Sequence, residues 1–402
     1  MKTLSELKSA LGLTKAPASW EGYLATLTDA TCPWLSDEFF VTFQKENPIF
    51  PQTLPHLLAA AKQVREDEDL SLYTRLLSMS IADKDTVQRD IGELSLPEAP
   101  EGRPAVGYEL AAMLANLPYI PPVMDRLRKR GLPEEVVLKT YSIYERRMLG
   151  DVAGRVVLTL PALSWVQLFL LEILIYVNRL EFHMTNDIYG GAFGIYRSRI
   201  GDYRFLAERG RYGADGRTKG KDEPRSDDEI NATFRETEDA YIANGMTVMG
   251  TVLPEKVTLK KGEWTRVAGP ESPVITVHIP EGPGLTEDAV RASFIEAKAI
   301  FARCFPEFKT EFFHCHSWLM DTQLSEFLSP TSNMMRFQEY FLHGTTNTFD
   351  NCVFEYLYGG ASHDDLAALP ENTGLQRRVK AHLLAGGHIY EQNGIVPFEF
   401  VP

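Results

Sequence analysis

Three histidines stand where a proton could be moved. His278 ends the β-rich run VITVHIP, and His314 and His316 flank Cys315 in FFHCHSWLM. Imidazole changes charge nearest neutral pH, so it can take a proton from a nucleophile or pass one on. On a strand, residues two apart share a face, so His314 and His316 would point one way and Cys315 the other. Cys315 then reads as a small core residue rather than a nucleophile. The same three histidines, joined by Glu181 or Glu311, also make a three-histidine, one-carboxylate metal set. Each of them would serve equally as a hydrogen-bonded strand histidine. Glu181 alternates with Leu180 and Phe182, and its pattern reads as a salt-bridged or solvent-facing glutamate.

Between His278 and His314 the chain runs EGPG and then TEDAVRASFIEAKAIFARC. Val290, Phe294, Ala297, Ile300 and Phe301 recur with helical spacing. A strand, a glycine-containing turn and a helix leave backbone N–H groups that can hold an anion at the strand's carboxyl end. Glu281, Glu287 and Asp288 surround that turn and oppose a phosphate there.

The elements that must position these groups divide the chain in two. Residues 1–152 read as helical, with apolar faces at 54–64, 70–81 and 106–117 and a stop at Gly150. Residues 153–402 read as mixed α/β. There WVQLFLLEILIYV reads as one buried helix, and the runs on either side of NDIYGG read as a hairpin. Residues 201–239 are dense in glycine and mixed charge and read as a long, mobile surface loop, or a lid presenting Arg209, Arg211, Arg217, Lys219 and Lys221 to an anion. Asn244-Gly245 marks a second hairpin turn. SNMMRFQEYFLH fits strand or helix, NCVFEYLYG reads as a strand, and LQRRVKAHLLAGG as a late helix closed by glycines. The tail IYEQNGIVPFEF packs back on the body.

A chain of 402 residues is long for one core, so two domains are expected. With a formal charge of −14, general nucleic-acid binding is not expected. The four cysteines have no metal or disulfide spacing. The amino terminus is a polar amphipathic helix, and the longest apolar run is too short to span a membrane. A cytoplasmic protein is expected.

The words HIPEG (278–282) and SWLMD (317–321), behind a helical half, carry a resemblance to bacterial acyltransferase-domain proteins. These join an N-terminal N-acyltransferase-associated helical domain to a GNAT-like acetyltransferase domain. The resemblance implies an α+β fold: a helical N-terminal domain, then a mixed α/β domain with a central, mostly antiparallel sheet. It implies transfer of an acyl group from acetyl-CoA or another acyl-CoA to an amine or hydroxyl of a small acceptor. The acyl-CoA would lie where two central strands splay, its pyrophosphate on Ile279, Pro280, Gly282, Gly284 and Leu285. The usual loop in such domains is Arg/Gln-x-x-Gly-x-Gly/Ala; this chain keeps only Gly282-x-Gly284. His278 would be the base or a water relay, supported by His314 or His316. Ser317 or Tyr340 would protonate the leaving sulfur, and Glu181 and Asp321 would orient polar partners. A cupin-like metal enzyme built on His278, His314 and His316, and a non-catalytic ligand- or protein-binding protein, are the alternatives. A homodimer is left open.

Overall fold

The computed structural model describes residues 2–220, 223–348 and 351–402. The chain separates into two compact units, Met1–Val177 and Asn178–Pro402.

The first unit is built helix on helix. Val106–Asn116 lies at its centre, with Tyr108 and every residue from Leu110 to Asn116 buried. Leu54–Glu66 and Glu68–Ala82 pack on it through Leu57, Ala61, Val64, Leu70, Tyr73 and Leu77. The buried carboxylate of Glu145 accepts the N–H groups of Gln52 and Thr53 (both 2.8 Å) and satisfies donors at the start of the first of these helices. The apolar run expected as one helix does not stay helical. Helix Leu160–Leu170 stops, Glu172 takes φ 63° and bonds Arg126 (2.6 Å), and strand β1 (Leu174–Val177) follows. The β-branched Ile173, Ile175 and Val177 favour that extended ending. Among the described residues no helix is long and apolar enough to cross a membrane.

The second unit contributes thirteen strands: β2 (Leu180–Thr185), β3 (Phe193–Ser198), β4 (Tyr203–Ala207), β5 (Arg211–Tyr212), β6 (Ile230–Asn231), β7 (Arg235–Glu236), β8 (Ala240–Met246), β9 (Val252–Lys260), β10 (Trp264–Ala268), β11 (Val274–His278), β12 (Phe312–Ser317), β13 (Leu342–Thr346) and β14 (Gln392–Pro397). One sheet runs β2-β11-β12-β14-β13, and a second runs β10-β3-β4-β8-β7 with β9 on β8. Every pairing in the first sheet of this unit is antiparallel except β11 with β12. This is the expected α+β arrangement, a helical unit followed by a mixed one with a mostly antiparallel central sheet.

Helix Glu287–Cys304 covers one face of the first sheet. Phe294 meets Phe182 and Phe313 at centroid distances of 6.1 and 5.1 Å, and Phe301 meets Phe182 at 6.4 Å. On the other face Val274, Phe312 and Ile395 pack against Phe193, Ile195 and Phe205 of the second sheet.

Several local readings are corrected by long-range pairing. The runs around NDIYGG do not form a hairpin: β2 pairs with β11 while β3 pairs with β4 and β10, and Ile188 N–H bonds Pro270 O (2.9 Å). Residues 201–239 hold β4 to β7 rather than one irregular loop. Asn244-Gly245 lies inside β8, beside a register irregularity, with the buried Asn244 amide donating to Leu253 O and Pro254 O; the chain turns instead at 247–251. The run NCVFEYLYG is helical over Asn351–Leu357, where Val353 and Phe354 face a satellite core. SNMMRFQEYFLH is both: helix Asn333–Gln338, then β13 from Leu342. The late helix Gly374–Leu384 ends as expected, with Gly386 at φ 83°. The tail does more than pack back, since β14 sits between β12 and β13.

Phe294 is 1% exposed and touches four aromatic rings. Phe294→Ala is expected to lower stability by about 3–5 kcal/mol, whereas Ile295→Ala, on the exposed side of the same helix, changes it by less than about 0.5 kcal/mol. Denaturant unfolding of both variants checks this, and equal losses would contradict the packing described.

Candidate active site

β11 and β12 are paired at Ile275↔Phe313 and Thr276↔His314, and the ladder ends there. Each strand continues along its outer neighbour: β11 stays registered with β2 to His278↔Glu181, and β12 with β14 to Ser317↔Gln392. The last residues of the two strands therefore face a gap.

Alternation assigns the side chains around it. Glu181, His183, Thr185, Thr276, His278, His314, His316 and Asn393 fall on one face, opposite the Phe182 and Phe313 face that carries the long helix. His314 and His316 share this face with His278, and Cys315 points into the helix side. Burial pushes the Cys315 thiol up to about 12, so it is no nucleophile at neutral pH. Glu181 is 2% exposed and in register with His278, so it does not face solvent.

His314 is fully buried and committed at both ring nitrogens. Asn393 donates its amide to Thr345 O (3.1 Å), which turns Oδ1 toward His314 Nε2 (2.8 Å). His314 thus carries its proton on Nε2, and Nδ1 accepts from the Thr276 hydroxyl (3.1 Å). Thr276 in turn meets the Thr185 hydroxyl at 2.9 Å. The chain Thr185–Thr276–His314–Asn393–Thr345 crosses all five strands and ties the sheet together across the start of the gap.

The other histidines line the gap's histidine side. His278 Nε2 lies 3.4 Å from His183 Nδ1, with ring centroids 5.5 Å apart. His316 Nε2 receives the Asn347 amide at 3.1 Å, so its proton sits on Nδ1, 3.8 Å from Glu391 Oε2. Burial lowers the pKa of His183 to about 4, of His278 to about 3 and of His316 to about 3; the neighbouring His183 and His314 add to the effect at His278, and His314 adds to it at His316. His314 falls to about 4 for the same reason. All four are neutral imidazoles at neutral pH.

The helix side holds the remaining candidates. Ser317 Oγ accepts Leu319 N–H (3.2 Å) at the end of β12. Tyr340 stacks on Phe294 at 5.7 Å, and burial, then Glu287, raises its hydroxyl so that it keeps its proton. Asp321, raised by burial, accepts Tyr390 N–H (2.7 Å) and so holds the backbone beside Glu391.

The turn after β11 is exposed from Glu281 to Gly284, and Leu285 anchors it. Gly282 takes φ 152°, which a side chain would strain. Thr286 caps the helix, accepting Ala289 N–H. Sequence reasoning missed Arg179. Its guanidinium donates to Pro283 O (2.5 Å) and Pro280 O (2.8 Å), placing a buried cation behind the turn that lacks a basic residue of its own. About a hundred residues separate the partners, so no local motif joins them. His183, Asn347, Glu391 and Asn393 were missed likewise; the only local signal was His183, one residue beyond Phe182 in an alternating run.

Two expectations are corrected here. His278, His314 and His316 do not converge: His278 meets His183, and His314 is taken by Thr276 and Asn393. Among the described residues no group of three or more His, Cys, Asp or Glu side chains could hold a metal ion, and the sheets are not a cupin-like barrel. The basic residues of the polar run are also engaged, Arg209 with Glu271 and Arg211 with Glu229 (both 2.6 Å), Arg217 with Asp215 (3.1 Å) and Lys219 beside Glu223 (3.9 Å). They are not arrayed for an anion; Lys221 lies outside the described residues.

The neutral histidines carry a pH dependence. Their folded values lie below the ordinary 6.5, so the unfolded chain binds more protons as pH falls. Stability is full above about 6.5 and is lost toward about 4 for His183 and His314 and toward about 3 for His278 and His316, each ring contributing up to about 1.4 kcal/mol per pH unit. Urea unfolding at pH 7.5 and 5.0 is expected to show a clear loss at the lower value; equal stability would mean that the rings are charged in the fold.

Comparison with known proteins agrees with this geometry. A crystal structure of an acyltransferase in complex with decanoyl-CoA and teicoplanin is similar over 100% of both chains, at 19% identity and a TM-score of 0.59. One of an acyltransferase in complex with CoA and 10C-teicoplanin is similar over 100% of both, at 19% identity and a TM-score of 0.57. No curated protein matched. The profile of the GNAT-like C-terminal domain matches residues 174–396. That match takes in the sheet, the gap and the covering helix, more than half of the sequence, and the chain belongs to the GNAT-like C-terminal domain family.

Proposed function

We propose that this protein transfers an acyl group from an acyl-CoA to an amine or hydroxyl of a small acceptor. One observation carries the reading: the only parallel pair of the first sheet's second-unit strands opens after Thr276↔His314, directly above a glycine turn and a helix N-terminus. Solved structures with this fold were determined with decanoyl-CoA and with CoA, which supports the choice of donor.

The residues present fit such a donor. No residue of β11 beyond Thr276 is in register with β12, so the pantetheine arm of a donor would lie between the two strand ends. The turn Ile279–Leu285, exposed over Glu281–Gly284, receives the pyrophosphate, with Gly282 and Gly284 leaving space for it; a Cβ at Gly282 would meet nothing nearer than Arg179 Cζ at 3.9 Å. Arg179 offsets Glu281, Glu287 and Asp288 and holds the turn open through two carbonyls. When bound, the acyl-CoA supplies an activated thioester carbonyl.

The two faces of the gap then divide the work. On the histidine face His278, backed by His183, accepts the acceptor's proton as a neutral imidazole. His314 holds Thr276 at the mouth of the gap and touches no acceptor. Glu181 lies in register beside His278. On the helix face Tyr340, with Ser317, returns a proton to the sulfur. The nitrogen–carbon or oxygen–carbon bond forms as the carbon–sulfur bond breaks, and the proton leaving the acceptor is balanced by the one gained by sulfur.

Calorimetric titration with CoA and decanoyl-CoA tests the donor. Gly284 has an ordinary φ and only Asn333 Nδ2 nearby, at 3.3 Å from a Cβ, so Gly284→Trp is expected to fold and to weaken binding by about tenfold or more. Absence of binding by the unaltered protein would remove the reading. With an acceptor found, His278→Gln is expected to lower kcat by about 10²–10⁴ with little change in the KM for acyl-CoA; an unchanged kcat would exclude His278 as the base.

A further inference from the structure

Among the described residues Glu391 is a carboxylate with no lysine or arginine partner. Its side chain is 15% exposed, yet its polar neighbours are neutral: Cys352 Sγ donates to Oε1 (2.8 Å), Asn347 Nδ2 donates to Oε2 (3.3 Å), and His316 Nδ1 stands 3.8 Å from Oε2. Among the described residues no lysine or arginine comes within salt-bridge distance of it. Arg217 lies over the adjoining Tyr390 ring at 4.7 Å and is paired with Asp215. A largely buried carboxylate without a counter-charge is costly, and two neutral donors with a more distant imidazole N–H offset only part of that.

The group is held in place from several directions. Asn347 N–H bonds Glu391 O (2.9 Å), and Asp321 fixes Tyr390 N–H. The loop between β2 and β3 passes over His316 so closely that a Cβ on Gly190, at φ 67°, would lie 2.9 Å from His316 Nε2. Next to that glycine Tyr189 is 65% exposed, its ring edge-on to His316 at 5.2 Å. An exposed aromatic thus stands edge-on to a neutral imidazole, with a carboxylate beside it that no described lysine or arginine pairs.

We propose that Glu391, with Asn347 and His316, is a cation subsite on the histidine face, and that the acceptor carries a protonated amine seated there with its adjoining ring or chain against Tyr189. The proposal rests on the acyl-transfer reading for the word acceptor, but the subsite itself requires only a ligand ammonium. An ammonium group offers three donors and a charge that the carboxylate lacks at present; a hydroxyl offers neither the charge nor the number.

Benzylammonium, with benzyl alcohol as its uncharged counterpart, tests this on the full chain without CoA by saturation-transfer NMR and titration. Benzylammonium is expected to bind, benzyl alcohol to bind about tenfold more weakly or not at all, and Glu391→Gln to weaken the ammonium by about tenfold while leaving the alcohol unchanged. Tyr189→Ala weakens both ligands. Should Glu391→Gln not fold, Glu391→Asp, which keeps the charge but withdraws it, must weaken the ammonium selectively. Equal binding of amine and alcohol, unaltered ammonium binding in the Glu391 variants, or no ammonium binding to the unaltered protein overturns the proposal. CoA titration of the same samples separates the two readings: ammonium binding without CoA binding would leave the subsite standing and remove acyl transfer.

Discussion

Two backbone pairings, Ile275↔Phe313 and Thr276↔His314, are all that join the middle strands of the first sheet in the second unit. The strands cannot close further because each is held by a longer ladder on its outer side, β11 by β2 and β12 by β14. A sheet normally leaves few backbone groups without partners. Here the two strands stop pairing after Thr276↔His314, with a helix N-terminus and an exposed glycine turn beside the opening. The proposed donor site depends on this opening, where the register between the two middle strands ends.

The sheet's two faces differ in chemistry because strand alternation gives them different neighbours. One face carries Phe182, Phe313 and Cys315 into the long helix; the other carries four histidines, two threonines and an asparagine. Burying so many polar side chains is tolerable only where they satisfy one another. Thr185, Thr276, His314, Asn393 and Thr345 do so in one continuous chain, which fixes the tautomer of His314 and braces the strands just before they part. Burial also keeps the imidazoles neutral, so this face carries no histidine charge at neutral pH.

Much of this was legible in the sequence, and the misreadings share a cause. Periodicity found the helical half, the helix after HIPEG and the late helix ending at Gly386, because those elements are shaped by contacts a few residues apart. It failed at NDIYGG and at Asn244-Gly245, where good turn residues are used for a crossing between sheets and for an irregular register inside a strand. It failed again at NCVFEYLYG, whose apolar residues suit a strand but face a small helical cluster. Local preference is a weak force beside the burial of a whole face.

The sequence by itself determined the helical first half, the strand–turn–helix around Gly282 and Gly284, and the shared face of His314 and His316, since these follow from short-range spacing, while the α+β class with its central sheet was what the family resemblance implied. Only the tertiary structure decided that His278 is partnered by His183, that His314 is spent on bracing the sheet, that Arg179 stands behind the turn, and that Glu391 comes beside His316. These partners lie from about seventy to more than a hundred residues apart, except His314 with Thr276. Their meeting is set by strand order and register, which arise from the competition of all the strands for partners and not from any one segment's pattern.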